Sequence, residues 1–267
     1  MKIDAAAPIG AFDSGVGGLS ILKEIRYLMP QEKLIYVADS AYAPYGRKDD
    51  EAIFRRCQVI CDFLIQRHCK LIVVACNTAT AACIDRLRQT YSIPIVGVEP
   101  ALKPAAMLTQ SNRIGLLATE STLKSRRLLS LMTRFISFEQ KLYPVGCPGF
   151  VELVEKGKFD SSDVYDLAQP VLSQLITNDV DSLVLGCTHF PFIQPVLEDI
   201  VGSRMHIINP AAAIATEVLR QLNASNLAGG YNQQSTLQFI TSADPTELEP
   251  VVKRLWRTAF SIHKLRT

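Results

Sequence analysis

Leu71-Ile72-Val73-Val74-Ala75-Cys76-Asn77-Thr78 (71–78) and Leu183-Val184-Leu185-Gly186-Cys187-Thr188-His189 (183–189) are the two stretches that decide the fold. Each is a short apolar run that stops at a cysteine and passes into small polar residues, with helical sequence beyond. Such a run reads as a strand buried on both faces, as in parallel sheets covered by helices. The thiol then stands at the C-terminal edge of its sheet, where open α/β sheets bind ligands. One such edge in each half lets two thiols face one small molecule from opposite sides. That arrangement suits a reaction that takes a proton from one face of a carbon and returns one to the other.

Working outward, strands and helices alternate. Ile9 to Phe12 predicts a strand that ends at Asp13-Ser14-Gly15-Val16-Gly17-Gly18, followed by a helix with Leu19, Leu22, Ile25 and Leu28 on one face. Leu34 to Ala38 is a second strand ending at Asp39-Ser40, and a loop then runs to Pro44-Tyr45-Gly46. Asp49 caps a helix with Ile53, Phe54, Cys57, Ile60, Cys61 and Leu64 inward. Strands follow at 71–75 and 94–98. The order restarts at Arg113 to Ala118, where Ile114-Gly115 echoes Ile9-Gly10, and strands recur at 183–185 and 205–208. Helices are expected from about Glu120, over 151–158 and over 162–177. After Pro210 come a helix, a Gly229-Gly230 loop, and a last strand and helix with no cysteine-bearing strand of their own. The expected fold is α/β: two pseudo-symmetric, doubly wound domains with mostly parallel sheets and an active-site cleft between them. Residues 1–98 with 210–267 form the first domain, and 99–209 the second.

At 267 residues the chain buries a substantial core. A net charge of +2 gives no electrostatic reason to expect nucleic acid or an acidic membrane as partner. No stretch has the roughly 20 apolar residues that span a bilayer, and Met1 to Pro8 carries no signal-peptide pattern. Seven cysteines without a framework spacing read as reduced thiols of a cytoplasmic protein.

A free thiol has a pKa of about 8.5, and a helix N-terminus lowers it. Both Cys76 and Cys187 are expected to precede helix starts. Asp13 shares a sheet edge with Cys76, and His189 lies two residues beyond Cys187. Cys57, Cys61, Cys69, Cys83 and Cys147 read as small core residues, and no third ligand makes Cys57 and Cys61 a metal site. The glycine loop at 13–18 lacks both the dinucleotide and P-loop patterns, but its N–H groups suit a carboxylate. Ser14, Asn77, Thr78, Thr119, Thr122 and Thr188 supply short polar groups at strand ends in both halves.

The segments FDSGVGGLS (12–20), ADSAYAPYG (38–46), ACNTAT (75–80), GVEPALKPA (97–105) and LGCTHFP (185–191) resemble the signatures of the glutamate racemases, in the same order. The resemblance implies an enzyme without cofactor or metal that interconverts L- and D-glutamate and supplies D-glutamate for peptidoglycan. It implies Cys76 and Cys187 as the two bases, Asp13 assisting the first, and His189 and Glu155 the second. It implies substrate contacts from Ser14, Tyr45, Gly46, Asn77, Thr78, Thr119, Thr122 and Thr188, with Asp39 and Ser40 as the pair ending the second strand. Departures from the pattern are Glu120-Ser121, Glu152 and Asn209. Three rival readings stay open: an aspartate racemase, a hydrolase built on Cys187 and His189, and a non-catalytic binding protein on the same scaffold. Such enzymes often pair, so a homodimer is a possible assembly, but the sequence itself gives no oligomeric state.

Overall fold

Short runs of β-branched and leucine residues separated by amphipathic segments form two parallel sheets with helices between their strands. In the computed structural model, which describes residues 4–229 and 235–266, the first half runs β1 (Ile9–Asp13), α1 (Leu19–Leu28), β2 (Leu34–Ala38), α2 (Asp50–Gln66), β3 (Leu71–Val74), α3 (Asn77–Thr90) and β4 (Ile95–Gly97). Next come α4 (Leu102–Leu108), β5 (Arg113–Ala118), α5 (Glu120–Leu123), α6 (Arg126–Phe135), β6 (Lys141–Gly146), α7 (Phe150–Glu155), α8 (Ser162–Thr177), β7 (Ser182–Leu185), α9 (Gln194–Val201) and β8 (His206–Ile208). The tail adds α10 (Ala211–Ala224), β9 (Leu237–Thr241), α11 (Pro245–Leu255) and β10 (Ser261–Lys264). Gly230 of the expected glycine loop lies outside the described residues.

The first sheet has the order β10-β9-β2-β1-β3-β4 and the second β6-β5-β7-β8, with parallel pairing throughout the described strands. Without β9 and β10 the two orders are identical: second strand, first, third, fourth. In each, chain direction across the sheet switches between the first strand and the third, and that switch is where such sheets leave a crevice. Cys76 follows β3 and Cys187 follows β7, so both thiols come to the switch point of their own sheet.

β1, β2, β3 and β7 are buried along their whole length, as parallel strands covered on both sides must be. On one face of the first sheet, α2 and α3 close a core around Phe12, Ile53, Ile60, Val74 and Leu87. On the other face, Leu19, Leu22 and Ile25 of α1 join Val218 and Leu222 of α10, and this core continues into Leu183, Leu185 and Phe190 of the second half. The halves thus share apolar packing. At the edge opposite the cysteines, Lys70 and Glu32 form a buried pair at 2.6 Å. Lys70 also donates to the Ala5 carbonyl, and Glu32 accepts from the Gly229 amide, tying both ends of the first half together.

Two strands were not legible in the sequence. β6, over 141–146, carries Pro144 and is half exposed, because it is an edge strand with one unpaired side where a missing N–H costs nothing. β10 is a short, exposed edge strand beyond β9.

Candidate active site

Asp13 is the last residue of β1 and is fully buried. One carboxylate oxygen accepts the Ser14 amide at 2.6 Å. The other accepts the Gly18 amide at 2.7 Å and the Thr188 hydroxyl, from the second half, at 3.1 Å. The glycine loop therefore does hold carboxylates, but they are the protein's own. The Val16 amide is taken by Glu155, again from the second half, at 2.7 Å. A Cβ on Gly15 would overlap the Glu155 carboxylate and one on Gly17 the His189 ring. These glycines permit the second half to approach the loop.

Cys76 caps α3. Its sulfur accepts the Ala79 amide at 3.5 Å and stands 4.0 Å from the Ser14 hydroxyl. Burial pushes this thiol well above its ordinary pKa, and the charge of Asp13 pushes the same way. Cys187 adds a smaller push, so the two sulfurs lie within electrostatic reach of each other. Burial also raises Asp13 above the usual carboxylate range, against the opposing pull of His189.

Cys187 does not start an α-helix. Its carbonyl accepts the Phe190 amide in a single 3-10 turn at Phe190–Phe192, and α9 begins only at Gln194, because Pro191 and Pro195 set the backbone here. A helix N-terminus is thus available to Cys76 but not to Cys187. Cys187 has a side-chain partner instead: its sulfur is 3.7 Å from His189 Nδ1, and His189 Nε2 is 2.6 Å from Glu155. Burial opposes charge on this imidazole, but the hydrogen bonds to Cys187 and Glu155 outweigh it and hold the ring protonated well above its ordinary range.

Thr78 of α3 meets Thr119 at 3.1 Å and Thr122 at 3.4 Å, so three hydroxyls from both halves converge. Asn77 beside them is buried, and neither its amide nitrogen nor its oxygen has a partner among the described residues. A buried amide left unpaired costs about 1–3 kcal/mol per group, a cost that a polar ligand at that place recovers. Asp39 and Ser40 follow β2, where buried Asp39 accepts the Tyr45 hydroxyl at 2.6 Å and a two-pronged contact from Arg56 at 2.8 and 3.0 Å. That anchors the loop carrying Tyr45 and Gly46, and Gly46 faces Thr119.

Other side chains at this junction carry no role from the sequence. Ser20 donates to the Thr188 carbonyl at 2.8 Å, and the buried Tyr36 hydroxyl donates to the Gly15 carbonyl at 2.6 Å. Ser20 closes the string FDSGVGGLS, which was its one available signal; Tyr36 sits mid-strand and gave none. Cys147 ends up near Cys187, its thiol raised to about 12 chiefly by burial.

The family model described as Asp/Glu/Hydantoin racemase matches residues 19–218. A glutamate racemase from Pseudomonas aeruginosa is 44% identical over 266 residues, 99% of each chain, and one from Stutzerimonas stutzeri is 44% identical over 95% of each. Among solved structures, a glutamate racemase isoform from Bacillus anthracis superposes with a TM-score of 0.87 at 29% identity, covering 97% of each chain. Escherichia coli glutamate racemase, in complex with L-glutamate and the activator UDP-MurNAc-ala, superposes with a TM-score of 0.82 at 33% identity, covering 97% of this chain and 98% of that one.

Proposed function

The chain belongs to the Asp/Glu/hydantoin racemase family and is a glutamate racemase, an isomerase; on that premise we propose that it interconverts L- and D-glutamate by a two-base mechanism. Cys76 and Cys187 serve opposite faces of the α-carbon. One sulfur, as thiolate, takes the α-proton and becomes a thiol. The other, a thiol, gives its proton to the opposite face and becomes the thiolate. Asp13 assists Cys76, and His189, held by Glu155, assists Cys187. Among the described residues, those within 1–98 and 210–267 form one wall of the cleft and those within 99–209 the other.

One observation carries this reading: two thiols stand at equivalent strand ends, within reach of each other's charge, each beside its own acid–base group. Ser14, Tyr45, Gly46, Asn77, Thr78, Thr119, Thr122 and Thr188 hold the substrate's carboxylates and ammonium. The unpaired Asn77 amide and the threonine cluster support that assignment. The α-proton of an amino acid is very weakly acidic, so the developing negative charge needs preorganised donors, each worth about 3–4 kcal/mol in a dry site. The product supplies D-glutamate for peptidoglycan in the cytoplasm. No helix among the described residues is long and apolar enough to cross a membrane.

Incubation with L-glutamate in heavy water tests the proposal. Optical rotation is expected to decay to zero while one deuterium enters the α-position of the product, and L-aspartate is expected to stay unchanged. Racemised glutamate that keeps its original α-proton, or aspartate turned over at a comparable rate, overturns it.

A further inference from the structure

α7 crosses to the first half twice. Glu155 reaches inward to Val16 and His189. Glu152, three residues earlier and so on the same side of the helix, reaches Arg47 at 2.8 Å. Arg47 closes the turn Tyr45–Arg47, directly after Gly46. A pocket of about 110 Å³ opens here, walled by Pro44, Gly46 and Arg47 from one half and by Thr119, Val151 and Glu152 among others from the second. It adjoins Gly46 and Thr119, assigned above to the substrate. Arg47 is the one cation among the described lining residues, facing two carboxylates, Glu152 and Glu120, of which Glu120 lies 3.5 Å from exposed Lys124 outside the lining. The Arg47 and Glu152 side chains are 75% and 38% exposed. An ion pair so wet contributes little to stability and opens readily.

We propose that Arg47 and Glu152 form an exchangeable latch at the cleft mouth. A carboxylate of the incoming substrate displaces Glu152 from the Arg47 guanidinium, the mouth opens as the substrate passes, and the pair re-forms behind it. Arg47 thereby favours anionic substrates at entry, and Glu152 keeps that cation neutralised between turnovers. This rests on the reading of glutamate as substrate.

R47Q and E152Q separate the latch from a plain structural clamp. R47Q is expected to raise KM for glutamate about two- to five-fold at low ionic strength, and E152Q to lower it by a similar factor, the range of exposed ion pairs. Both shifts are expected to fade near 1 M salt, where screening acts over about 3 Å. A second readout needs no racemisation: the rate of Cys76 and Cys187 alkylation by anionic iodoacetate relative to neutral iodoacetamide, assigned by peptide mass spectrometry. R47Q is expected to lower that ratio and E152Q to raise it. Shifts of the same sign in the two variants, or none, overturn the latch. A parent protein that fails to racemise glutamate overturns the substrate reading instead, and the alkylation ratio then decides the latch by itself.

Discussion

Cys76 and Cys187 follow equivalent strands, β3 and β7, in sheets of the same order, but their surroundings differ in sign. Cys76 sits on a helix start, yet it is buried beside a carboxylate, and both burial and Asp13 favour the protonated sulfur. Cys187 has no helix start and instead has an imidazole whose pKa is raised, against burial, by its hydrogen bonds to Cys187 and to Glu155. A two-base racemase needs one thiol and one thiolate at every turn. The partners are unequal, a carboxylate beside one sulfur and an imidazole beside the other.

The comparison breaks most sharply at the sulfurs. C76A and C187A are each expected to lose racemisation by about 10²–10⁴-fold, the usual worth of a positioned acid or base. The equilibrium constant of a racemisation is one, so kcat/KM falls equally in both directions. The difference between the halves shows instead in α-deuterium exchange without inversion, expected for one enantiomer with C76A and for the other with C187A. If both variants exchange the same enantiomer, the sulfurs do not serve opposite faces.

Next in size is the contact between the halves. G17A places a methyl group where the His189 ring lies. It is expected to cost about 10²-fold in kcat/KM through misplacement of the second half, with far-ultraviolet circular dichroism unchanged. Wild-type activity in G17A would show that the loop and His189 need not touch.

The smallest effect is on stability. His189 has its pKa raised in the folded protein above the ordinary 6.5. Its contribution is therefore complete below about pH 6.5 and is lost as pH rises through the folded value. The gap in urea midpoint between wild type and H189N is expected to be widest at pH 6 and to narrow toward pH 10. A gap that widens with pH would mean that the ring is buried neutral.

Much of the site was legible because strand ends announce themselves. An apolar run that stops at Cys76 or Cys187 puts the thiol at a sheet edge whatever the rest of the chain does. Asp13, Ser14, Asn77, Thr78, Thr119 and Thr188 follow from the same punctuation. Less was legible where a contact joins residues far apart in sequence. Glu155 lies 139 residues from the Val16 amide it accepts, and Arg47 lies 105 from Glu152. The helix expected after Cys187 failed because two prolines redirect the backbone there, and β6 was missed because an edge strand tolerates Pro144.

Period and punctuation in the sequence were enough for two parallel α/β halves with a sulfur at the crevice of each, since burial on both faces leaves strands little other composition. The contacts of Glu155 with the Val16 amide and of the Thr188 hydroxyl with Asp13, which bring the second half onto the glycine loop, were decided by tertiary structure alone. Those contacts depend on how closely one half approaches the other, a distance set by packing across the whole shared core.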